Sequence, residues 1–523
     1  LEAIEPATHV AGSPSLHKYV RVLRLAMGSY NFLIMSFEFL SRFWQDIAGW
    51  AVLFNLVLTT FTLLCVLHLK REPMSAIAWS LTVIALPIMG PIFFGLFGYQ
   101  TIRRPIEKRL RRRQAYKKLT TEVPAEAKTG DGAPAVAIPE RWQLLEKLAH
   151  HPDGFPATAG NRFELFTEGE AAYAAMIAAI EAAKHHVHME FFIVRPDKSG
   201  QRFIAACTAA RRRGVEVRFL YDSVGSFSLR SSMLRELIAA GGKAAAFLPV
   251  FNPVYRMRIN LRNHRKILII DGRMAFSGGL NIGDEYLGKN PRFGYWRDTF
   301  FRLEGAAVES LQRIFLEDWH FATEEAVRGA AYYPRAITRP GGVIAQVVHS
   351  GPDADYKAIR ETYFAGILRA RKRVWIASPY FVPDPGLRDA LVLAGRAGVD
   401  VRFLGLFRPD KWVPFLAARY YWTELLAAGV RVYQYSRGMM HSKFMLVDGE
   451  WASVGTANMD NRSLYLNYEV NCLIYDAAAV SEMEEAFERD LAVSVRLDAS
   501  VYGSRPRAAK LAENAARLLS PII

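Results

Sequence analysis

Two histidines in this chain of 523 residues each stand two places before a lysine and seven before an Asp-Gly pair. The first set is His264, Lys266, Asp271 and Gly272; the second is His441, Lys443, Asp448 and Gly449. Both stretches continue alike, as Gly278-Gly279-Leu280-Asn281 and Gly455-Thr456-Ala457-Asn458, so His, Lys, Asp, Gly and Asn all recur at an offset of 177 residues. An imidazole can attack phosphorus or carry a proton near neutral pH, while ammonium and amide groups stabilise negative charge as it grows. Two copies brought to one point would form a receptacle for a phosphodiester. The candidate catalytic residues are therefore His264, Lys266, Asp271, His441, Lys443 and Asp448, with Asn281, Asn458 and the two lysines as phosphate ligands. A single His-x-Lys is more often an ordinary surface strand, and the matched pair argues against that reading. No metal is expected, because an ammonium beside each imidazole repels a cation. The clustered His185, His186 and His188 have no cysteine or second histidine group spaced to complete a metal site, and no cofactor is implied.

These positions call for strands. Residues i and i+2 of a strand share a face, so each histidine lies beside its lysine while the following apolar run is buried in a sheet. The Asp-Gly pairs suit tight turns into a second strand, where small residues let backbone approach closely. A weaker echo joins Arg213-Gly214-Val215-Glu216-Val217-Arg218-Phe219-Leu220 to Ala397-Gly398-Val399-Asp400-Val401-Arg402-Phe403-Leu404, each after an alanine-rich helical stretch. That alternation predicts an α/β fold of two pseudo-repeated domains with mixed, mainly parallel sheets and the site at their seam.

The N-terminal part reads differently. Hydrophobic residues make up 51% of the chain, and a net charge of +15 favours an anionic partner, either nucleic acid or an anionic membrane surface. Residues 47–69 hold no Asp, Glu, Lys or Arg and are long enough to cross a hydrocarbon core as a helix. A second uncharged run, residues 74–100, is interrupted by Pro87, Gly90 and Pro91, so it either spans or folds back as a kinked, re-entrant arm. Residues 30–44, aromatic and dotted with Glu38 and Arg42, fit a helix lying at the interface. A basic collar from Arg103 to Lys118, with Glu107 its single acid, places the rest of the chain on the cytoplasmic side, with the collar itself against anionic headgroups. Residues 120–139 read as a flexible linker. The first apolar stretch lacks the basic head and small-residue exit of a cleaved signal peptide, so it is expected to be retained. Cys65, Cys207 and Cys472 are too scattered for a disulfide frame or a zinc site, which suggests a reducing compartment.

The expected division is 1–46 interfacial segment, 47–100 membrane hairpin, 101–139 collar and linker, 140–335 first repeat, 336–505 second repeat and 506–523 tail. In the tail, Leu511, Ala515, Leu518 and Leu519 line one helix face beside Lys510 and Arg517, suited equally to a membrane surface or to packing on the domain.

The duplicated motif resembles the HKD signature of the phospholipase D superfamily, over residues 140 to 505. The resemblance implies two phospholipase D-like domains in which one histidine attacks phosphorus, forming a phosphohistidine. The other protonates the leaving alcohol and then activates the incoming one. Trp296-Arg297-Asp298-Thr299, Ser378-Pro379-Tyr380-Phe381-Val382-Pro383-Asp384, Asn461-Arg462-Ser463 and Asn467-Tyr468-Glu469 are similar to the cardiolipin synthase subgroup, as are the paired N-terminal spans and the closing Arg517-Leu518-Leu519-Ser520-Pro521. By position, Asp298 and Glu469 match the acids that orient the imidazoles. The likeness implies His264 as nucleophile, held by Asp298, and His441 as general acid, held by Glu469. The first motif has Gly279 where many relatives have serine, so a hydroxyl contact to phosphate is missing there and kept at Thr456.

The implied reaction moves a phosphatidyl group between two phosphatidylglycerol molecules, giving cardiolipin and glycerol, at a bacterial inner membrane crossed more than once by the chain. A phospholipase D hydrolase and a synthase using phosphatidylethanolamine share its first step. An HKD nuclease fits the charge, but the apolar spans and the basic residues gathered beside them weigh against a nucleic-acid partner. A scaffold with a decayed site is disfavoured because every HKD position is filled in both copies. A homo-oligomer is compatible with all of these.

Overall fold

The computed structural model describes residues 43–70, 73–98, 136–150, 154–249, 261–334, 341–354 and 356–520. The chain divides into two compact units, Leu1–Thr101 and Ile102–Ile523.

In the N-terminal unit, the 27-residue helix Phe43–Leu69 has a mean hydropathy of 2.2 and is the one described helix long and apolar enough to cross a membrane. The second apolar run breaks near its prolines: a 13-residue helix, Pro73–Ala85, gives way to Met89–Phe93 and then to a π-turn, Phe94–Gly98. Thirteen residues reach about 20 Å, short of a hydrocarbon core of about 30 Å, so the second arm is bent and is no single straight span. At the bend Ile88 takes φ 61° and its N–H donates to Asn55 Oδ1 (2.9 Å) on the long helix. Val66, Val83 and Phe94 are buried together, closing the two arms into a hairpin. The predicted interfacial segment (but for its last residues), the basic collar and most of the linker lie outside the described residues.

In the larger unit a 16-stranded sheet runs through both repeats, fifteen strands along its main path and the short Arg262–Asn263 strand off it. The first contributes β1 (Thr158–Phe166), β2 (His186–Phe191), β3 (Glu216–Asp222), β4 (Lys243–Phe247), β5 (Ile267–Ile270), β6 (Met274–Gly278) and β7 (Phe300–Glu304). The second contributes β8 (Val343–Ser350), β9 (Arg373–Ala377), β10 (Asp400–Leu406), β11 (Arg431–Tyr435), β12 (Phe444–Val447), β13 (Trp451–Gly455) and β14 (Asn467–Ile474), closed by β15 (Ser494–Arg496). The order β15-β11-β10-β9-β12-β13-β14-β8-β1-β7-β6-β5-β2-β3-β4 mirrors one repeat in the other about the antiparallel β8–β1 pair. Amphipathic helices, Lys198–Arg212 and Pro385–Arg396, make the matching crossovers β2 to β3 and β9 to β10.

The sheet is mixed, as expected, but not mainly parallel. Parallel pairing is confined to β2-β3-β4 and β9-β10-β11, with the other main-path pairs antiparallel. The cause lies in the motif itself. Asp271 and Gly272 take φ 55° and 64°, and Asp448 and Gly449 take 57° and 75°, the two left-handed residues of a tight hairpin turn. Each motif therefore folds back as an antiparallel hairpin, β5–β6 or β12–β13.

The repeats interlock at their edges. Residues 140–149, expected to belong to the first repeat, pack on the second: Trp142 stacks on Trp451 (centroids 6.1 Å apart) and Arg141 pairs with Asp448. The C-terminal helix Arg507–Arg517 packs against Trp412–Ala427, where Glu513 accepts from Arg419 (2.8 Å) and Arg505 (2.7 Å). The tail thus packs on the domain, with Leu511 and Leu518 left exposed.

Candidate active site

Register fixes where the motifs emerge. Glu190 pairs with Ile267 and Ala377 with Phe444, so each His-x-Lys sits just ahead of its strand, at the sheet edge where the parallel strands end. Two short parallel ladders then reach across the seam. Arg262–Asn263 pairs with Asn467–Tyr468, and Tyr295–Arg297 with Gly438–Met440. They continue as His264 N–H donating to Tyr468 O (3.0 Å) and His441 N–H donating to Arg297 O (2.7 Å).

The next residue on each partner strand is an acid. Glu469 lies 3.0 Å from His264 Nδ1, and Asp298 lies 2.6 Å from His441 Nδ1. The expected pairing of Asp298 with His264 and Glu469 with His441 is thus corrected, since each repeat supplies the carboxylate that holds the other's imidazole. With Nδ1–H donated to the acid, Nε2 keeps a lone pair for chemistry. Both rings are nearly buried, against Phe192 (4.9 Å) and Trp296 (5.2 Å) respectively.

The two settings are unlike. Burial pushes the Glu469 carboxyl up to about 7, although Lys266, Thr456 and Asn467 favour its charge. Burial would raise Asp298 too, but His441 and Lys443 hold it below the usual carboxylate range. Burial, then Lys266 and Lys443, keeps His264 well below the ordinary imidazole value; His441 is lowered by burial and Lys443 but partly restored by Asp298. The lysines themselves are buried and depressed, Lys266 to about 7 and Lys443 to about 8. Each also donates to its own histidine's carbonyl, Lys266 at 2.6 Å.

Asn281 and Asn458 lie buried beside the motif. Asn281 Oδ1 accepts from Ile193 N (3.0 Å), steadying the backbone next to Phe192, whereas Asn458 Oδ1 has no protein partner among the described residues. Asp271 and Asp448 do not join the cluster. They stand at the far ends of β5 and β12, where Asp271 accepts from the N–H groups of Lys184, His185 and His186 (2.7–3.0 Å), and Asp448 from those of Arg371, Lys372 and Arg373 (2.7–2.8 Å). The structure thus places both carboxylates away from the imidazoles, where they anchor the strands that carry the site. Thr456 is corrected as well: its hydroxyl is bonded to Glu469 (2.6 Å) and the Val470 backbone, so it serves the acid and not phosphate. Gly279 has its own reason, since a Cβ there would lie 1.9 Å from Asp298 Oδ1.

Sequence reasoning missed the buried pairs flanking His264. Asn263 donates to Glu190 and Arg265 to Asp318; the signal was Glu190, one acid inside an otherwise apolar strand end. Tyr380, read from sequence only as part of the Ser378–Asp384 motif, has its hydroxyl on Asp410 while Lys411 Nζ lies 5.3 Å from its ring. The rings of His185, His186 and His188 pack edge-on or tilted against one another, His188 stacks on Tyr332, and Arg218 approaches His188 (3.3 Å). Among the described residues no group of three or more His, Cys, Asp or Glu is placed to hold a metal ion.

The chain matches a family model described as cardiolipin synthase, PLD-like domain, twice, over residues 176–319 and 363–491. A protein of Geobacillus kaustophilus named cardiolipin synthase is 41% identical over 460 residues, 87% of this chain and 90% of that one. This chain belongs to the cardiolipin synthase family. A cardiolipin synthase of Halalkalibacterium halodurans is 39% identical over 492 residues, 92% of this chain and 95% of the other. A second model, described as phospholipase D-nuclease N-terminal, covers residues 57–98. Among solved structures, phosphatidylserine synthase of Haemophilus influenzae superposes with a TM-score of 0.55 at 14% identity, covering 69% of this chain and 95% of that one, a likeness of fold. In this cardiolipin synthase family member two imidazoles held by opposed acids stand together with two buried lysines at the seam of the repeats.

Proposed function

We propose that the chain joins two phosphatidylglycerol molecules into cardiolipin and glycerol through a phosphatidyl-histidine on His264. Its family makes it a phosphatidyltransferase acting on phospholipids. The observation that carries the finer reading is the unlike pair of crossed dyads. His264, kept neutral, offers an Nε2 lone pair to phosphorus; His441, beside an ionised Asp298, is the better place for a proton. As the His264 Nε2–P bond forms, the P–O bond to glycerol breaks and His441 gives its proton to that oxygen. Neutral His441 then takes the proton from a hydroxyl of the second phosphatidylglycerol, whose oxygen attacks phosphorus as the P–N bond breaks. Lys266, Lys443 and the two asparagine amides stabilise the charge on the remaining phosphoryl oxygens. The overall reaction exchanges one phosphodiester for another, so the transfer is close to thermoneutral.

The long helix Phe43–Leu69 supports membrane association. The basic collar in the sequence supports placing the catalytic unit on the cytoplasmic side of a bacterial inner membrane. The test is an assay on phosphatidylglycerol labelled in its glycerol headgroup. Cardiolipin and free glycerol should appear together, added glycerol should return cardiolipin to phosphatidylglycerol, and turnover should persist in EDTA. Phosphatidic acid as sole product would make the enzyme a hydrolase. Ethanolamine release from mixed lipid would make phosphatidylethanolamine the donor.

A further inference from the structure

Two loops rise from the sheet edge that carries the histidines. One follows β3 and the other follows β10, at mirrored places in the two repeats. Because β3 runs parallel to β2, and β10 to β9, both loops leave the sheet beside Lys266 and Lys443.

Each loop is bound to the wall of the site. In the first, Ser226 Oγ donates to Phe192 O (3.0 Å) and accepts from Val194 N (3.0 Å), and the Phe192 ring rests on His264. In the second, Asp410 meets the Tyr380 hydroxyl and Lys411 lies over the Tyr380 ring, near enough to the site for its charge to act on His264. Each loop, so fastened, then turns its largest apolar side chain outward. Phe227, five residues beyond β3, is 73% exposed, and Trp412, which opens the helix at the end of the second loop, is 65% exposed, with Phe407 and Val413 at 41% each.

Single exposed apolar residues are common on soluble proteins and need no explanation. Here they recur on mirrored loops at both sides of one site. Exposed cations accompany them, Arg230 by the first loop and Arg408 and Lys411 in the second, while the acid Asp410 is taken up by Tyr380. An apolar tip flanked by cations fits the headgroup layer of an anionic bilayer, where aromatic rings settle at the polar boundary and Lys and Arg meet phosphates.

We propose that these two loops form a rim that dips into the surface of an anionic phospholipid bilayer, so that the site opens toward the membrane and lipids reach the histidines without leaving it. The proposal rests on the phospholipid-substrate reading of the same site. The occupant is the lipid surface and not a second copy of the chain, because the cations would repel their own counterparts.

The full chain would be reconstituted in vesicles of phosphatidylethanolamine and phosphatidylglycerol. Phe227→Ser with Trp412→Ser should lower cardiolipin formation in these vesicles about tenfold or more, and leave turnover of a short-chain, monomeric phosphatidylglycerol unchanged. An equal loss on both substrates, or none on either, would overturn the rim. A wild-type protein inactive on both would instead refute the phosphatidyl-transfer reaction itself. A polarity-sensitive fluorophore on Phe227→Cys or Trp412→Cys should shift to shorter wavelength in vesicles and be quenched by brominated lipid. A shift that appears without lipid and grows with protein concentration would assign the surface to contact between copies, against the proposal.

Discussion

Glu469, in the second repeat, stands 3.0 Å from Nδ1 of His264, in the first. The reciprocal contact is Asp298 with His441, at 2.6 Å. Each imidazole thus takes its tautomer from across the seam, and the two acids differ in how readily they hold charge. That difference underlies the proposed division of roles.

The adduct should form on His264. With His441→Ala, a phosphatidyl donor bearing an activated leaving group needs no proton and should load the enzyme, which then stalls as phosphatidyl-His264. With His264→Ala no adduct should form. Peptide mass spectrometry after an alkaline quench locates it; phosphate on His441 of the His264→Ala protein would reverse the assignment.

The crossing of the acids is separately testable. Glu469→Gln should slow loading from the activated donor, because His264 loses the group that fixes its tautomer. Asp298→Asn should load normally but fail at the proton-transfer steps. Each should lower kcat on the natural lipid by about 10³- to 10⁴-fold, the scale of replacing a triad carboxylate by its amide. If Asp298→Asn proves to be the variant blocked in loading, the crossed geometry does not govern the chemistry.

The pH profile should be a narrow bell near neutrality. Glu469, pushed up to about 7, must be ionised to accept from His264, so activity falls as pH drops through that range. His441, held below the ordinary imidazole value, must be protonated to serve the leaving glycerol, and Lys266 and Lys443, lowered to about 7 and about 8, must be protonated to hold the phosphodiester, so activity falls again as pH rises. A kcat/KM profile flat from about pH 5 to about pH 9 would contradict this, as free-enzyme ionisations govern that ratio.

Asp448→Ala should harm folding more than chemistry. Three backbone N–H groups and Arg141 lose their acceptor, a loss of about 3 kcal/mol that thermal unfolding would show. Turnover per folded molecule should stay within about threefold of wild type, far from the effect of removing a reacting group. A large fall in kcat at unchanged Tm would return Asp448 to the catalytic set.

Much of the site was legible because its chemistry sits on local spacing. His-x-Lys and Asp-Gly occupy a few consecutive residues, and their duplication at a single offset marks them. The anchoring role of Asp271 and Asp448 was hidden by the same compactness, since a strand of four residues separates each from its lysine and the motif reads as one unit. The crossed acids could not be read. They depend on ladders of two and three residues, too short to leave a periodic pattern, between segments far apart in the chain. Sheet direction was misjudged because the crossover helices announce parallel strands more loudly than hairpins announce antiparallel ones. In the N-terminal hairpin, Pro87, Gly90 and Pro91 foretold the bend but not the Asn55 side chain that holds it.

The crossed pairing also makes the catalytic device indivisible. One repeat alone would carry a histidine with nothing to orient it and an acid with nothing to hold. A chain of one repeat could work only by meeting a twin face to face, each lending its carboxylate to the other. The sheet that runs unbroken through β1 and β8 would then be the fossil of such a meeting, made permanent when the two copies became one chain. Two copies in one chain need not stay equal, and the unlike settings of His264 and His441 are what the proposed nucleophile and proton carrier would draw on.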